Sequence, residues 1–342
     1  IYHSRPHLGQ EEAKACERVI RSKYLAAGQE TERFEAELAQ KFQRQHVIAV
    51  SSGMSALHLA LHALGCGDQN QVLCPSYVCT ALLNAIGLTR AKVKLLDNQQ
   101  QLPLLRTQGL KCEAQDFLIA PQMFGLVTSL SDLPKHQVIE DCAMTLGPSA
   151  LQQGIVSTTS FYATKMMTTA QGGALFTDDE GLATELRDLI SYDNRDDYRL
   201  RFNYAPNDLS CAMGRVQLER LDQFIERRDH IAGVYDELLK SSAPQLLAHP
   251  KGLSSQGSGL FRYWVNVGNL EECVTHLKLR YIEAKSPVFR TLHRYLSLDR
   301  EDFPNAERHH NAILSLPFYP SLKDNDLNTV IECLLQVAES PR

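Results

Sequence analysis

No apolar run in the 342 residues approaches the length that spans a bilayer, and the amino-terminal "IYHSRPHLGQEEAKA" carries no stretch of the kind a signal peptide needs. Cysteine occurs nine times, but never as a C-x-x-C pair, so neither a zinc ribbon nor a thioredoxin-like redox site is indicated. Several thiols (Cys74, Cys79, Cys142, Cys211) sit inside apolar segments, which suits free cysteines in a reducing compartment, and a cytoplasmic location is expected. Charge of one sign is also scarce: 35 Lys and Arg against 40 Asp and Glu leave a net −5. Such a balance offers no general field for nucleic acid or an anionic membrane, and neither is expected as a partner. P-loops, G-x-G-x-x-G turns, paired catalytic carboxylates, internal repeats and low-complexity tracts are missing as well.

Short apolar runs rich in β-branched residues are present instead: "VIAV" (47–50), "QVLC" (71–74), "VKLL" (93–96), "FLIA" (117–120) and "QVIE" (137–140). Continuous apolar character predicts strands covered on both faces, as in a mainly parallel sheet. Helical patterns at "SALHLALHAL" and "CTALLNAIGL" lie between several of them, so the fold class is α/β. The stretch from Leu209 to "YDELL" reads as one long amphipathic helix, and "KGLSSQGSG" precedes a strand-like "FRYWVNV". A large domain over 1–229 and a smaller α+β domain over 230–342 are expected.

Ligands of open α/β sheets gather at the carboxyl ends of the strands, and three such ends carry polar residues. Ser51-Ser52-Gly53 leads from a strand into a helix whose free N–H groups suit a phosphate, although a plain helix cap reads the same way. Asp141 closes "VIED", where a carboxylate needs a cation unless it merely caps the next segment. Lys165 follows a strand taken to start at Ser160, in "SFYATKMMTTAQGG"; alone it could be surface decoration. Together a phosphate cradle, a carboxylate and a lysine meet the needs of pyridoxal 5'-phosphate: an amine for the aldehyde, an acid for the ring nitrogen and an anion site.

The order of blocks "RPHLGQEE", "YLAAGQETERFEAELAQKF", "VSSGMSALHLAL", "PSYVCTALLNAI", "VIEDCA", "SFYATKMMTTAQGGALFT", "FNYAPNDLSCAMGRVQLERLD" and "LSLPFYPSLKDNDLNTVI" resembles the pyridoxal-phosphate-dependent nucleotide-sugar aminotransferases of the DegT/DnrJ type. The resemblance implies a three-layer α/β/α domain of the aspartate-aminotransferase fold. Lys165 would then carry the cofactor and move protons, with Asp141 against the ring nitrogen and Ser160 with Gly53, Met54 and Ser55 around the phosphate. Cys79 and Met144 fall where the family flanks the ring. Asn203 matches an asparagine that reaches a neighbouring subunit's phosphate, which implies a homodimer with shared sites. Gly172-Gly173 would allow close backbone approach, and His293 matches a histidine found near family active sites. The implied reaction moves an amino group, with glutamate the expected donor, to a nucleotide-linked keto-sugar in polysaccharide biosynthesis.

Several positions depart from the family pattern. Met54 replaces a threonine, and Cys79 an aromatic ring, with Tyr77 two positions away. Met144 replaces a glutamine, Ala170-Gln171 a Gly-Glu pair, Ala205 an arginine and Gln122 a histidine. These leave two alternatives: a scaffold that has lost turnover, or sugar dehydration. The dehydrating branch has histidine in place of the lysine, so Lys165 favours amino transfer. His58 and His62, four apart, read as core or partly buried histidines, and His309-His310 as surface residues.

Overall fold

The structure is a computed structural model and describes residues 1–147, 150–248 and 259–338. Helices α1 (Gln10–Ser22) and α2 (Gln29–Phe42) precede an alternating run of β1 (His46–Val50), α3 (Gly53–Ala63), β2 (Gln71–Pro75), α4 (Ala81–Thr89) and β3 (Lys92–Leu96). Then come β4 (Asp116–Pro121), β5 (Val138–Asp141), β6 (Val156–Ser160), β7 (Gly173–Thr177) and α5 (Glu180–Ile190). The chain goes on through α6 (Asp208–Glu219), α7 (Leu221–Ser242), β8 (Trp264–Asn266), α8 (Leu270–Leu279), α9 (Leu292–Tyr295), α10 (Pro304–Ala312), β9 (Ile313–Ser315) and α11 (Asp324–Leu335).

Seven strands form one sheet in the order β1-β7-β6-β5-β4-β2-β3, and only β7 runs against the rest. Both faces are covered, which is why the strands read as unbroken apolar runs. Ile48, Val50 and Leu175 point into one core, Val47, Ala49, Ala174 and Phe176 into another. The three-layer α/β arrangement is the one expected.

Two expectations change. The strand before Lys165 ends at Ser160 rather than starting there; its body is "VSTTS", polar yet buried. Those hydroxyls are satisfied inside: Ser157 Oγ donates to Glu140 Oε2 at 2.8 Å and Thr159 Oγ1 to the Cys142 carbonyl at 3.1 Å. The long helix is two, α6 and α7, broken at Arg220. Residue 230, the expected boundary, lies within α7, and the core against α3 runs continuously into Trp264, Leu314 and Leu334. The Gly/Ser-rich stretch falls outside the described residues up to 258.

The topology gathers several of these strand ends at one edge of the sheet. Because β7 is reversed, its first residue, Gly173, pairs with the last residues of both neighbours, Val50 of β1 and Ser160 of β6. Asp141 ends β5 on the same edge, one strand further along.

Candidate active site

The cradle begins at the start of α3. Ser52 caps the helix, accepting from Ser55 N–H at 3.0 Å, and its Oγ lies 2.7 Å from Ser55 Oγ. As first-turn residues, Gly53 and Met54 have N–H groups with no partner within the helix, and these face out with the positive end of the helix dipole. Close packing fixes where they aim. A Cβ on Gly53 would lie 2.7 Å from Ser160 Cβ, and one on Gly173 would lie 2.6 Å from the Ser52 carbonyl. Gly173 is thus packed against the Ser52 and Gly53 backbone, and Gly53 against the Ser160 side chain, where α3 begins. Met54 itself is exposed, so the missing hydroxyl leaves an apolar rim there.

Asp141 is 6% exposed, and Oδ1 accepts from the Ala143 N–H at 3.0 Å. Burial pushes its carboxyl above the ordinary value, helped by neighbouring Glu140 and opposed by the Ala143 N–H and by Lys165. Lys165 lies in the turn after β6, its backbone N–H bonded to the Tyr162 carbonyl at 2.9 Å. Burial pulls its ammonium down; Cys79 and Asp141 oppose that pull, and Arg262 adds to it. Nζ stands 5.4 Å from the centroid of Phe261. Lysine and aspartate therefore feel each other's charge, yet among the described residues no ion pair closes between them. A buried carboxyl and a half-buried amine that sense each other without pairing suit a group that bonds to both.

Cys79 feels both groups. Its surface is accessible, yet burial and Asp141 raise its thiol while Lys165 lowers it, as on a cleft floor. Met144 is half-buried and packs against the cores of both sheet faces. Asn203 is exposed, with no side-chain hydrogen bond in its own chain among the described residues. Ala170, beside the glycines, has φ 65°, the left-handed region a side chain disfavours. Ala170→Gly is expected to stabilise the protein by about 0.5–1 kcal/mol, measurable by denaturant unfolding.

Two histidines are corrected. His293 is fully buried: Nδ1 lies 2.6 Å from Ser76 Oγ, Nε2 lies 2.7 Å from Glu307 Oε1, and the ring stacks on Phe303. It fastens the carboxy-terminal segment to the Ser76–Cys79 turn and is not open to a substrate. His309 is buried too, with Nε2 2.8 Å from the Gln99 carbonyl. His58 is a core histidine 2.9 Å from Tyr204 Oη, as expected. Gln122, in the family histidine's position, joins a buried network with Glu140 at 3.2 Å and the Thr128 N–H at 2.7 Å. Phe261 and Arg262 were missed by sequence reasoning, since only the fold carries "FRYWVNV" to Lys165.

The donors fit pyridoxal phosphate: free N–H groups at the start of α3 for an anion, a buried carboxyl at Asp141 and an amine at Lys165 that senses its charge. Asp141→Asn separates holding the cofactor from holding the fold. A carboxyl raised by burial favours folding below its unfolded value and penalises it as pH rises through the folded one. The cofactor-free variant is therefore expected to be more stable than the parent at neutral pH, by about 1–2 kcal/mol, with weaker cofactor binding. Denaturant unfolding and a cofactor titration check both.

The model of the DegT/DnrJ/EryC1/StrS aminotransferase family matches residues 6–335. The chain is 29% identical to the spore coat polysaccharide biosynthesis protein SpsC of Bacillus subtilis, covering 98% of this chain and 97% of that one. It is 28% identical to the GDP-perosamine synthase of Caulobacter vibrioides, covering 89% of each. The solved structure of S. venezuelae DesV in complex with a ketimine intermediate superposes with a TM-score of 0.87 at 26% identity, over 96% of this chain and 95% of that one. With its whole sheet and both ends of the site inside the matched span, this chain belongs to the DegT/DnrJ/EryC1/StrS aminotransferase family.

Proposed function

We propose that the protein is a pyridoxal-phosphate aminotransferase that moves an amino group from an amino acid, glutamate by expectation, to the ketone of a nucleotide-linked sugar. The observation that carries this reading is that buried Asp141 and half-buried Lys165 feel each other's charge without closing an ion pair among the described residues, at the sheet edge where α3 begins. When bound, the cofactor supplies an aldehyde for the amine and a ring that withdraws electrons. The residues of this chain supply the rest. The Gly53 and Met54 N–H groups, with Ser52, Ser55 and Ser160, bind phosphate oxygens at the helix dipole. Asp141 holds a proton at the ring nitrogen, and pairing there offsets the cost of its burial.

Lys165 Nζ carries the proton to and from the carbon bearing the transferred nitrogen. Burial lowers its ammonium, so more of it stands as the free base near neutral pH. The Phe261 ring stands on one side of that nitrogen. Cys79 and Met144 would flank the ring in place of an aromatic and an amide. Asn203, exposed and unengaged, completes the phosphate site of a second copy in a homodimer. No helix among the described residues is long and apolar enough to cross a membrane, and all nine cysteines are free, which supports action in the cytoplasm.

The test is transfer of 15N from labelled L-glutamate to nucleotide keto-sugars, read by mass spectrometry. An amino-sugar carrying the label is expected. Loss of a ring hydroxyl without nitrogen gain would mean dehydration, and an unchanged sugar with every acceptor would mean a scaffold.

A further inference from the structure

Glu140 is an acid kept in the middle of the sheet. It is the penultimate residue of β5, paired with Ala120 of β4 on one side and Ser157 of β6 on the other, and it is fully buried. Its Oε1 accepts from Gln122 Nε2 at 3.2 Å, and its Oε2 from the Gln153 N–H at 3.1 Å and from Ser157 Oγ at 2.8 Å. Each of these partners gives a hydrogen, which is the set that an ionised carboxylate takes. Among the described residues no lysine, arginine or histidine forms an ion pair with it.

Other buried acids show the contrast. Asp208 accepts the Gly28 and Thr31 N–H groups at 2.8 and 3.0 Å, where the start of α2 meets its charge. Glu12 accepts from Arg220 at 2.6 Å. Glu140 has neither a helix end nor a cation, and a buried charge held by neutral donors alone is costly for a fold to keep.

Asp141 is the next residue. Its side chain leaves β5 on the opposite face, so Glu140 stands behind that carboxyl and outside the cleft. Gln122, which binds Glu140, also holds Asp141. Its N–H donates to the Asp141 carbonyl at 2.8 Å, and its own carbonyl accepts from Thr145 Oγ1 at 2.8 Å. These bonds close the turn in which the Ala143 N–H reaches Asp141 Oδ1. The Glu140 charge is felt by both residues that follow it: burial holds the Asp141 carboxyl and the Cys142 thiol above their ordinary values, and Glu140 adds to both.

Building on the aminotransferase reading, we propose that Glu140 is a positioning residue for the cofactor's ring nitrogen: it acts through Asp141, and its negative charge behind β5 tightens the hold on the proton that Asp141 shares with that nitrogen. Glu140 touches neither cofactor nor substrate.

The experiment measures, by equilibrium dialysis, the binding of pyridoxal phosphate and of its 1-deaza analogue, which has carbon in place of the ring nitrogen. The proteins are wild type, Glu140→Gln, Glu140→Asp, Asp141→Asn and the Glu140→Gln/Asp141→Asn double variant. Glu140→Gln is expected to bind pyridoxal phosphate about tenfold more weakly and the deaza analogue as wild type does. Glu140→Asp, which keeps the charge, holds the ratio of the two affinities near the wild-type value. In the Asp141→Asn background, Glu140→Gln adds no further loss. If Glu140→Gln fails to fold, Gln122→Lys sets a cation against Glu140 and is expected to lower the same ratio.

Equal weakening for both cofactors would mean that Glu140 only props the sheet, and it overturns the assignment. So does an unchanged ratio in the charge-cancelling variant, or an added loss in the Asp141→Asn background. If wild type binds no pyridoxal phosphate, the aminotransferase reading itself falls, and this inference with it.

Discussion

Replacing Lys165 by alanine is expected to abolish the visible band of the bound cofactor and to lower amino transfer by about 10⁴-fold or more. Among the described residues, Arg262 is the one cation whose charge Lys165 feels, and a guanidinium cannot serve as a base near neutral pH. The fold should survive the change. A lysine whose ammonium is lowered by burial binds fewer protons folded than unfolded, so between the folded value and the ordinary one stability rises with pH. Lys165→Ala removes that dependence. The cofactor-free variant is expected to be at least as stable as the parent at neutral pH, with a flatter alkaline profile. A variant that lost the band by unfolding would contradict the assignment, and thermal unfolding at several pH values separates the two cases.

Gly173→Ala is expected to have the largest structural effect near the site. Its Cβ would lie 2.6 Å from the Ser52 carbonyl carbon and oxygen and 2.7 Å from the Gly53 nitrogen, all backbone atoms. Gly173 is also hemmed in on both sides, paired with Val50 and with Ser160. Either the β1 ladder or the start of α3 must shift, at a cost of about 2–3 kcal/mol, and the phosphate cradle shifts with it. Cofactor affinity should drop about 100-fold, since a displacement on the order of 1 Å is enough to spoil such a site. Gly67→Ala provides the control, because a Cβ there meets nothing within 4 Å. Its effect should stay within about 0.5 kcal/mol.

What was legible in the sequence follows from burial. The strands β1, β2, β4 and β5 stood out because sheet faces covered on both sides demand apolar residues without a break. The strand β6 did not, because Ser157, Thr158 and Thr159 are polar and satisfy themselves on Glu140 and Cys142 inside the core. The break at Arg220 was equally hidden: no glycine or proline marks it, and the apolar pattern runs through. At the site, Asp141, Lys165 and the glycines could be found because strand ends are where such chemistry collects. Phe261 and Arg262 could not, since the fold brings them to Lys165 from nearly a hundred residues away. His293 shows the opposite failure: its family position suggested a substrate contact, while Ser76, Glu307 and Phe303 have turned it into an internal fastening.

The central claim is that this cleft holds pyridoxal phosphate on Lys165, opposite Asp141. Borohydride reduction of the loaded protein, followed by peptide mapping with mass spectrometry, tests it directly. The account predicts one modified peptide, "MTTAQGGALFTDDE" preceded by the segment bearing Lys165, with the cofactor mass on that lysine. An adduct spread over surface lysines, or seated on any residue other than Lys165, would contradict it.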